Sequence, residues 1–291
     1  MVWNSVNHSM RRGQRQVFSA SCITYAGYYL CRLNFNQVQG ALGCELGLGE
    51  ADLGKIIFSF TLLYAIGHLI NGFICDHVGA HRMAMIGAFG SAAMCGILPF
   101  FSSLWMLICV WAVNGFFQSM GYGACAKVLA NWFTRSSRGR VVGIFSLSFQ
   151  LGNMTAWLLA AQLADTLGWQ YSFYVPAGLL ILIGLYAGRR MIDAPEDVHL
   201  PALEQHETPN VISSKKSDEN TVYRIFSSKK IWIAAIAACF LSVAGYGFLF
   251  WLPQYLQSNL PNISQTASAL RAGQATCRLL CPLALAGERD S

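Results

Sequence analysis

Apolar residues in this chain gather into long runs separated by short polar connectors. Seven runs of about 20 residues stand out, at 17–38, 54–75, 83–102, 104–131, 141–164, 171–190 and 230–257. Each has roughly the length a helix needs to cross a ~30 Å hydrocarbon layer. A single longer polar stretch, 191–229, contains Pro195, Glu196, Asp197, Pro201, Lys215, Lys216, Asp218 and Glu219 and reads as a solvated linker. The pattern predicts an all-α polytopic membrane protein: a six-helix bundle over 1–190, a linker over 191–229, a seventh transmembrane helix over 230–257 and a tail over 258–291. In the tail, 262–270 still reads as the start of an eighth span. From Arg271 onward no 18-residue apolar window survives, so the expectation is a truncated or frame-shifted end.

Composition agrees with that pattern. Apolar residues make up 54% of the 291 and charged residues 12%, about half the share usual in soluble domains. The positive residues then predict orientation. Arg11, Arg12 and Arg15 precede the first span, Arg82 follows the second, Arg135, Arg138 and Arg140 follow the fourth, and Arg189, Arg190, Lys215, Lys216, Arg224, Lys229 and Lys230 surround the linker. With alternating spans all of these fall on one side. Glu45, Glu50, Asp52, Lys55 and Asp165 fall on the other. The N-terminus and the linker are therefore expected in the cytoplasm, in a plasma membrane of the bacterial inner-membrane kind. This topology accounts for the net charge of +6 and leaves a nucleic-acid partner nothing to explain.

Of the ten cysteines, most sit in or beside apolar spans and none is in C-x-x-C spacing, which favours buried small hydrophobes over disulfides. No metal site and no cofactor is expected. No nucleophile–base pair or phosphate loop is present, so the chain is not expected to be an enzyme.

The polar residues inside the spans carry the candidate chemistry, because an ionisable group at membrane depth faces a cavity or a partner. Arg32 lies two-thirds along the first span, and Tyr25, Tyr29, Arg32 and Asn36 recur at helical spacing, predicting one aromatic and polar helix face. A guanidinium there offers a planar fork of donors for a carboxylate or phosphate. Snorkelling to the interface, or pairing with a structural carboxylate, is the plainer alternative. Tyr64, His68 and Asn71 share a face of the second span, where His68 either titrates or hydrogen-bonds a neighbouring helix. The fourth span carries Asn114, Gln118, Tyr122 and Lys127 among Gly115, Gly121 and Gly123, glycines suited to close helix approach. Ser146, Gln150 and Asn153 share a face of the fifth. Each of these reads alone as interhelical glue; together with Arg32 they read as polar faces around a central cavity.

Tyr28-Tyr29-Leu30-Cys31-Arg32-Leu33-Asn34-Phe35 resembles the first helix of the organophosphate:phosphate antiporters, a branch of the major facilitator superfamily that includes glycerol-3-phosphate and hexose-phosphate transporters. The run Gly72 to Arg82, with Asp76, His77 and Gly79, is similar to the superfamily's loop between helices 2 and 3. Gly115-Phe116-Phe117-Gln118-Ser119-Met120-Gly121, with Lys127, Asn131-Trp132-Phe133, Arg135 and Arg138-Gly139, resembles helix 4 and its exit. Trp251-Leu252-Pro253-Gln254-Tyr255-Leu256 is similar to the end of helix 7. The resemblance implies a major facilitator-like bundle with a midplane site opened alternately to each side. It implies that Arg32 holds the anionic group of the solute; with the polar faces read above, Tyr29, Tyr25, Asn36, His68, Tyr64, Gln118 and Gln150 are the other expected substrate-binding residues. It assigns Asp76, His77, Arg82, Arg135 and Arg138 to a gating loop in which Asp76 pairs with Arg82 or with the exit arginines.

Three positions depart from the branch's pattern: Gly245 stands where a second arginine is usual, His68 where a lysine is, and Phe149 where a histidine is. The expected activity is secondary active transport of a small anionic organic solute, an organophosphate or a carboxylate, with a proton or phosphate as co- or counter-transported ion. The alternatives are a membrane solute sensor of the same fold and a non-functional truncated fragment.

Overall fold

The computed structural model describes residues 2–198, 200 and 201, and isolated helical positions at 232, 233, 236, 239, 240 and 255. Apart from those six positions, the seventh span predicted from sequence lies outside the described residues, as does the tail. Among the described residues up to 198, seven α-helices follow one another: α1 (Val2–Leu30), α2 (Asn34–Leu46), α3 (Glu50–Val78), α4 (Ala80–Ile97), α5 (Leu104–Trp132), α6 (Arg135–Leu167) and α7 (Tyr171–Arg190). Among the described residues five stretches are long and apolar enough to cross a membrane, namely Glu50–Val78, Ala80–Phe100, Leu104–Trp132, Ser136–Leu167 and Tyr171–Arg190. They coincide with the second to sixth predicted spans. α3 packs along α5, α4 lies against α5 and α7, and α1 lies against α5, α6 and α7.

The first predicted span differs. It is not one helix over 17–38 but two, broken at Cys31–Leu33, with Arg32 in the break. The helical face predicted to run from Tyr25 to Asn36 is therefore interrupted between Tyr29 and Asn36. No glycine or proline stands at 31–33, so local propensity does not account for the break. What sustains it is polar satisfaction. Cys31 N–H and Arg32 N–H turn back to the Tyr28 and Tyr29 carbonyls at 3.3 and 3.2 Å, a tightened last turn. Asn114 Nδ2 on α5 donates to the Cys31 carbonyl at 3.0 Å, and Gln118 Nε2, one turn further, donates to the Tyr28 carbonyl at 3.0 Å. In hydrocarbon such carbonyls have no water to turn to, so these two amides permit the irregular backbone.

Asn34 makes a parallel repair. Pro176, inside α7, has no N–H for the carbonyl four residues earlier, and that carbonyl, Ser172 O, accepts from Asn34 Nδ2 at 2.9 Å. The start of α2 is thus stitched to the proline lesion of α7.

Two of the three helix-5 glycines act as their sequence spacing predicts. A Cβ on Gly115 would collide with the Phe60 carbonyl of α3, and one on Gly121 would meet the Tyr28 ring at 3.1 Å. Gly123 has nothing within 4 Å of such a Cβ and brings no helix closer.

The stretch expected to be a solvated linker begins as packed structure. Met191 and Pro195 are buried, Trp132 Nε1 donates to the Ile192 carbonyl at 2.8 Å, and Asn131 Nδ2 donates to the Asp193 carbonyl at 3.0 Å. At the opposite end of the bundle, the Trp169 indole N–H donates to the Glu45 carboxylate and joins α2 to the α6–α7 turn.

Replacing Gln118 with Leu strips the Tyr28 carbonyl and the Ser91 hydroxyl of one shared donor. It is expected to lower stability by about 1–2 kcal/mol, read from reversible unfolding in mixed detergent micelles. A change within a few tenths of a kcal/mol would mean the break does not depend on this amide.

Candidate solute-binding site

Arg32 is 7% exposed and is the only charged side chain among the described residues that is buried. Its guanidinium carbon lies 4.3 Å from the centre of the Tyr64 ring, 5.6 Å from Tyr29 and 5.8 Å from Phe60. Three rings from α1 and α3 therefore surround the cation, each contributing about 0.5–2 kcal/mol according to how dry the contact is. Tyr64 is the hinge of the arrangement: it stacks parallel to Phe60 and meets the His68 ring edge-on at 4.4 Å. Arg32, Tyr29, Tyr64 and His68, all candidates from the sequence, are thereby brought together. Phe60 joins them; its spacing of four from Tyr64 was the available signal.

Tyr25 belongs to an aromatic wall beside this group. Its hydroxyl lies 3.0 Å from that of Tyr29, and its ring stacks on Phe145 and touches Tyr122. Phe149 approaches Tyr29 at 6.1 Å. Gln150, on the same helix, accepts a hydrogen bond from Asn153 Nδ2 at 3.2 Å. Gln118 stands behind the break, 3% exposed, its amide held by Tyr28 and Ser91.

Beyond the break, Asn36 and Gln37 are 3% and 1% exposed. The Asn36 amide nitrogen and both polar atoms of the Gln37 amide are buried without a hydrogen-bond partner. Unpartnered buried polar atoms each disfavour the fold by roughly 1–3 kcal/mol, so two in succession next to a buried arginine mark a place where something else can bind. Gln37 was not singled out by sequence reasoning. Once the helix restarts at Asn34, it no longer lies on the phase projected from α1.

The gating-loop residues take other partners than predicted. Asp76 pairs with Lys127 of α5, Nζ to Oδ1 2.6 Å, and the same ammonium donates to the Cys75 carbonyl at 3.1 Å. Arg82 is exposed and makes no ion pair with Asp76. Arg138 donates to the Ala130 and Phe133 carbonyls, bracing the α5–α6 turn, and His77 bonds back to the Phe73 carbonyl of its own helix. The Arg135 side chain lies outside the described residues. The reason is geometric: α3 runs along α5, so the last turn of α3 meets Lys127 first.

A second carboxylate, missed in the sequence, closes the same end. Asp193 accepts from the His81 backbone N–H at 2.6 Å and faces His81 Nδ1 at 3.1 Å, capping α4 at its positive end. Gly79, at φ 92°, makes the approach possible, since a Cβ there would sit 2.8 Å from Asp193 Oδ2. Among the described residues no cluster of three or more His, Cys, Asp or Glu side chains could hold a metal ion.

Among the described residues, five helices long and apolar enough to cross a membrane, packed with a buried arginine at the break between α1 and α2, define an all-α polytopic membrane fold. Residues 17–284 match the profile of the Major Facilitator Superfamily, and the chain belongs to that family. It is 27% identical over 265 residues to a glycerol-3-phosphate transporter of Bacillus subtilis, covering 87% of this chain and 60% of that protein. It is 24% identical to a probable hexose phosphate transport protein of Chlamydia trachomatis, covering 83% and 56%. It is also 26% identical to the membrane sensor protein UhpC of Salmonella typhimurium, covering 68% and 45%. These relatives fit the organophosphate branch that the first-helix residues resemble. In structure it is similar to a bacterial homologue of the human lysosomal transporter Spinster in an inward-facing, unoccupied conformation, with a TM-score of 0.76, 14% identity, and coverage of 93% of this chain and 64% of that one. The chain spans about half to three-fifths of the length of the curated relatives it matches.

The pairing of Asp76 sets a test. Asp76→Asn and Lys127→Gln should be non-additive, with a coupling of about 0.2–1 kcal/mol because the pair is largely exposed. Arg82→Gln should add independently to either. Coupling of Asp76 to Arg82 in the same thermal-unfolding series would restore the pairing expected from sequence.

Proposed function

We propose that this chain binds a small organic anion at Arg32, an organophosphate or a carboxylate, as part of secondary active transport by alternating access. The observation that carries the reading is the placement of the only buried charge described at a break in a membrane span, ringed by Tyr29, Phe60 and Tyr64. Burying a guanidinium is costly, and an anionic ligand with planar oxygens matches both its charge and its fork of donors. The relatives named for glycerol-3-phosphate and hexose phosphate support the ligand class.

In this reading Asn36 and Gln37 offer their unpartnered amides to the polar body of the solute, and Tyr25 and Tyr29 wall it in. His68 adds a titratable donor through Tyr64, consistent with a proton or phosphate as the coupled ion. Gln150 is a further candidate contact from α6, and Gln118 acts from behind by holding the break. The domain organisation read from sequence belongs to the same proposal, with a six-helix half, a linker and a seventh span. So does the placement in a bacterial inner membrane with the N-terminus cytoplasmic, where the arginines at the starts of α1 and α6 satisfy the positive-inside preference. A solute sensor is the second reading, favoured by the similarity to the membrane sensor of Salmonella.

Uptake and equilibrium binding in proteoliposomes, with glycerol 3-phosphate, glucose 6-phosphate and a set of small carboxylates, test the site directly. Arg32→Ala is expected to weaken binding roughly 10- to 100-fold, the loss of a charge-assisted bidentate contact, and Arg32→Lys to recover only part of it. Saturable binding without uptake would favour the sensor, and binding indifferent to Arg32 would remove the site.

A second measurement separates ligand-facing from structural polarity. Gln37→Leu is expected to leave thermal stability unchanged or raise it by up to ~1 kcal/mol while lowering solute affinity. A clear loss of stability would show that the amide has a structural partner.

A further inference from the structure

Between the starts of α1 and α6 lies a groove of about 400 Å³, separate from the Arg32 site. Arg11, Gln14 and Arg15 line its outer part, and Phe18, Phe133, Val141 and Ile144 line the rest. Its volume is within the ~300–1,000 Å³ usual for small-molecule sites. Its two parts differ in chemistry along one axis. Arg11, Arg15 and Phe18 follow one another on a single face of α1, and seven residues of helix separate the first from the last by roughly 10 Å.

The apolar runs read from the sequence give that axis a direction: the run in α1 begins at residue 17 and that in α6 at 141, so Phe18, Val141 and Ile144 stand in the first apolar turns and Arg11 and Arg15 precede them. The apolar end continues outward along α6, where Ile144, Leu147 and Leu151 are 50%, 60% and 66% exposed on one helical face. Arg11 and Arg15 are exposed, and no described carboxylate forms an ion pair with either. Gln14, between them, is held by its bond to the Trp132 carbonyl at 2.9 Å, which ties the groove's wall to the end of α5.

We infer that this groove binds an anionic phospholipid. The phosphate is taken by Arg11 and Arg15 at headgroup depth, and an acyl chain runs over Phe18, Val141 and Ile144 onto the exposed face of α6. A soluble phosphate ester would meet the same guanidiniums but would leave the apolar part of the groove uncovered. A zwitterionic lipid would cover the apolar part but bring an ammonium to two arginines that no described carboxylate neutralises. An anionic lipid satisfies both ends. Bound there, it bridges α1 and α6, the two helices whose aromatic side chains meet deeper in the bundle, Tyr25 with Phe145 and Tyr29 with Phe149.

The test is lipid retention by the purified full chain in detergent, read by native mass spectrometry and thermal stability during titration with phosphatidylglycerol or phosphatidylcholine of identical acyl chains. Phosphatidylglycerol should bind and stabilise, and phosphatidylcholine should do so far less. Each arginine at an anionic lipid surface contributes roughly five-fold in affinity, so Arg11→Gln/Arg15→Gln should weaken phosphatidylglycerol binding roughly 25-fold. Arg12→Gln/Arg189→Gln removes the same charge outside the groove and should leave it unchanged. Equal loss in the two double variants, equal binding of the two lipids, or full protection by inorganic phosphate alone would each overturn the assignment. Because all four arginines are exposed, the variants are expected to fold, and circular dichroism with gel filtration verifies that independently of lipid.

Discussion

A backbone carbonyl in hydrocarbon must find a donor within the protein, and this constraint organises the described structure. The first span is broken where Arg32 lies, and the break stands because Asn114 and Gln118 reach from α5 to carbonyls of its last turn. Asn34 does the same for the carbonyl that Pro176 leaves without a partner. Three side-chain amides thus replace three backbone donors, and their positions decide where α1, α5 and α7 sit relative to one another. The buried arginine, its collar of rings and the unpartnered amides of Asn36 and Gln37 all follow from the chain being irregular at that depth.

The fold was largely legible in the sequence and the site only partly so. Spans two to six were visible because a run of about 20 apolar residues is costly to keep in water and well matched to hydrocarbon. The break at 31–33 was not, because its residues carry no glycine or proline. It is encoded in trans, in two polar residues 80 to 90 positions away. That is also why Gln118 reads from sequence as a cavity residue when its amide serves the backbone. Tyr29, Tyr64 and His68 come together around Arg32 from stretches where their helices are regular, so their helical phase could be read from spacing. Gln37 was invisible for the opposite reason, since projecting the α1 phase across an interruption gives the wrong face.

Electrostatic partners were the least legible. The motif around Asp76 promised an arginine, but proximity depends on which helices pack, and α3 lies along α5, so the ammonium of Lys127 takes the carboxylate. Asp193 had no motif at all. It lay unnamed within the stretch 191–229 read as a solvated linker, and it is instead the cap of α4.

The Asp193 clamp also has a mechanical meaning. Because Ile192 and Asp193 are fastened to α5 and α4 through Trp132, Asn131 and His81, the chain leaving α7 does not hang from that helix alone. Tension transmitted along the backbone from later residues reaches three helices at once. The load is therefore shared among α4, α5 and α7 and does not fall on a single helix end.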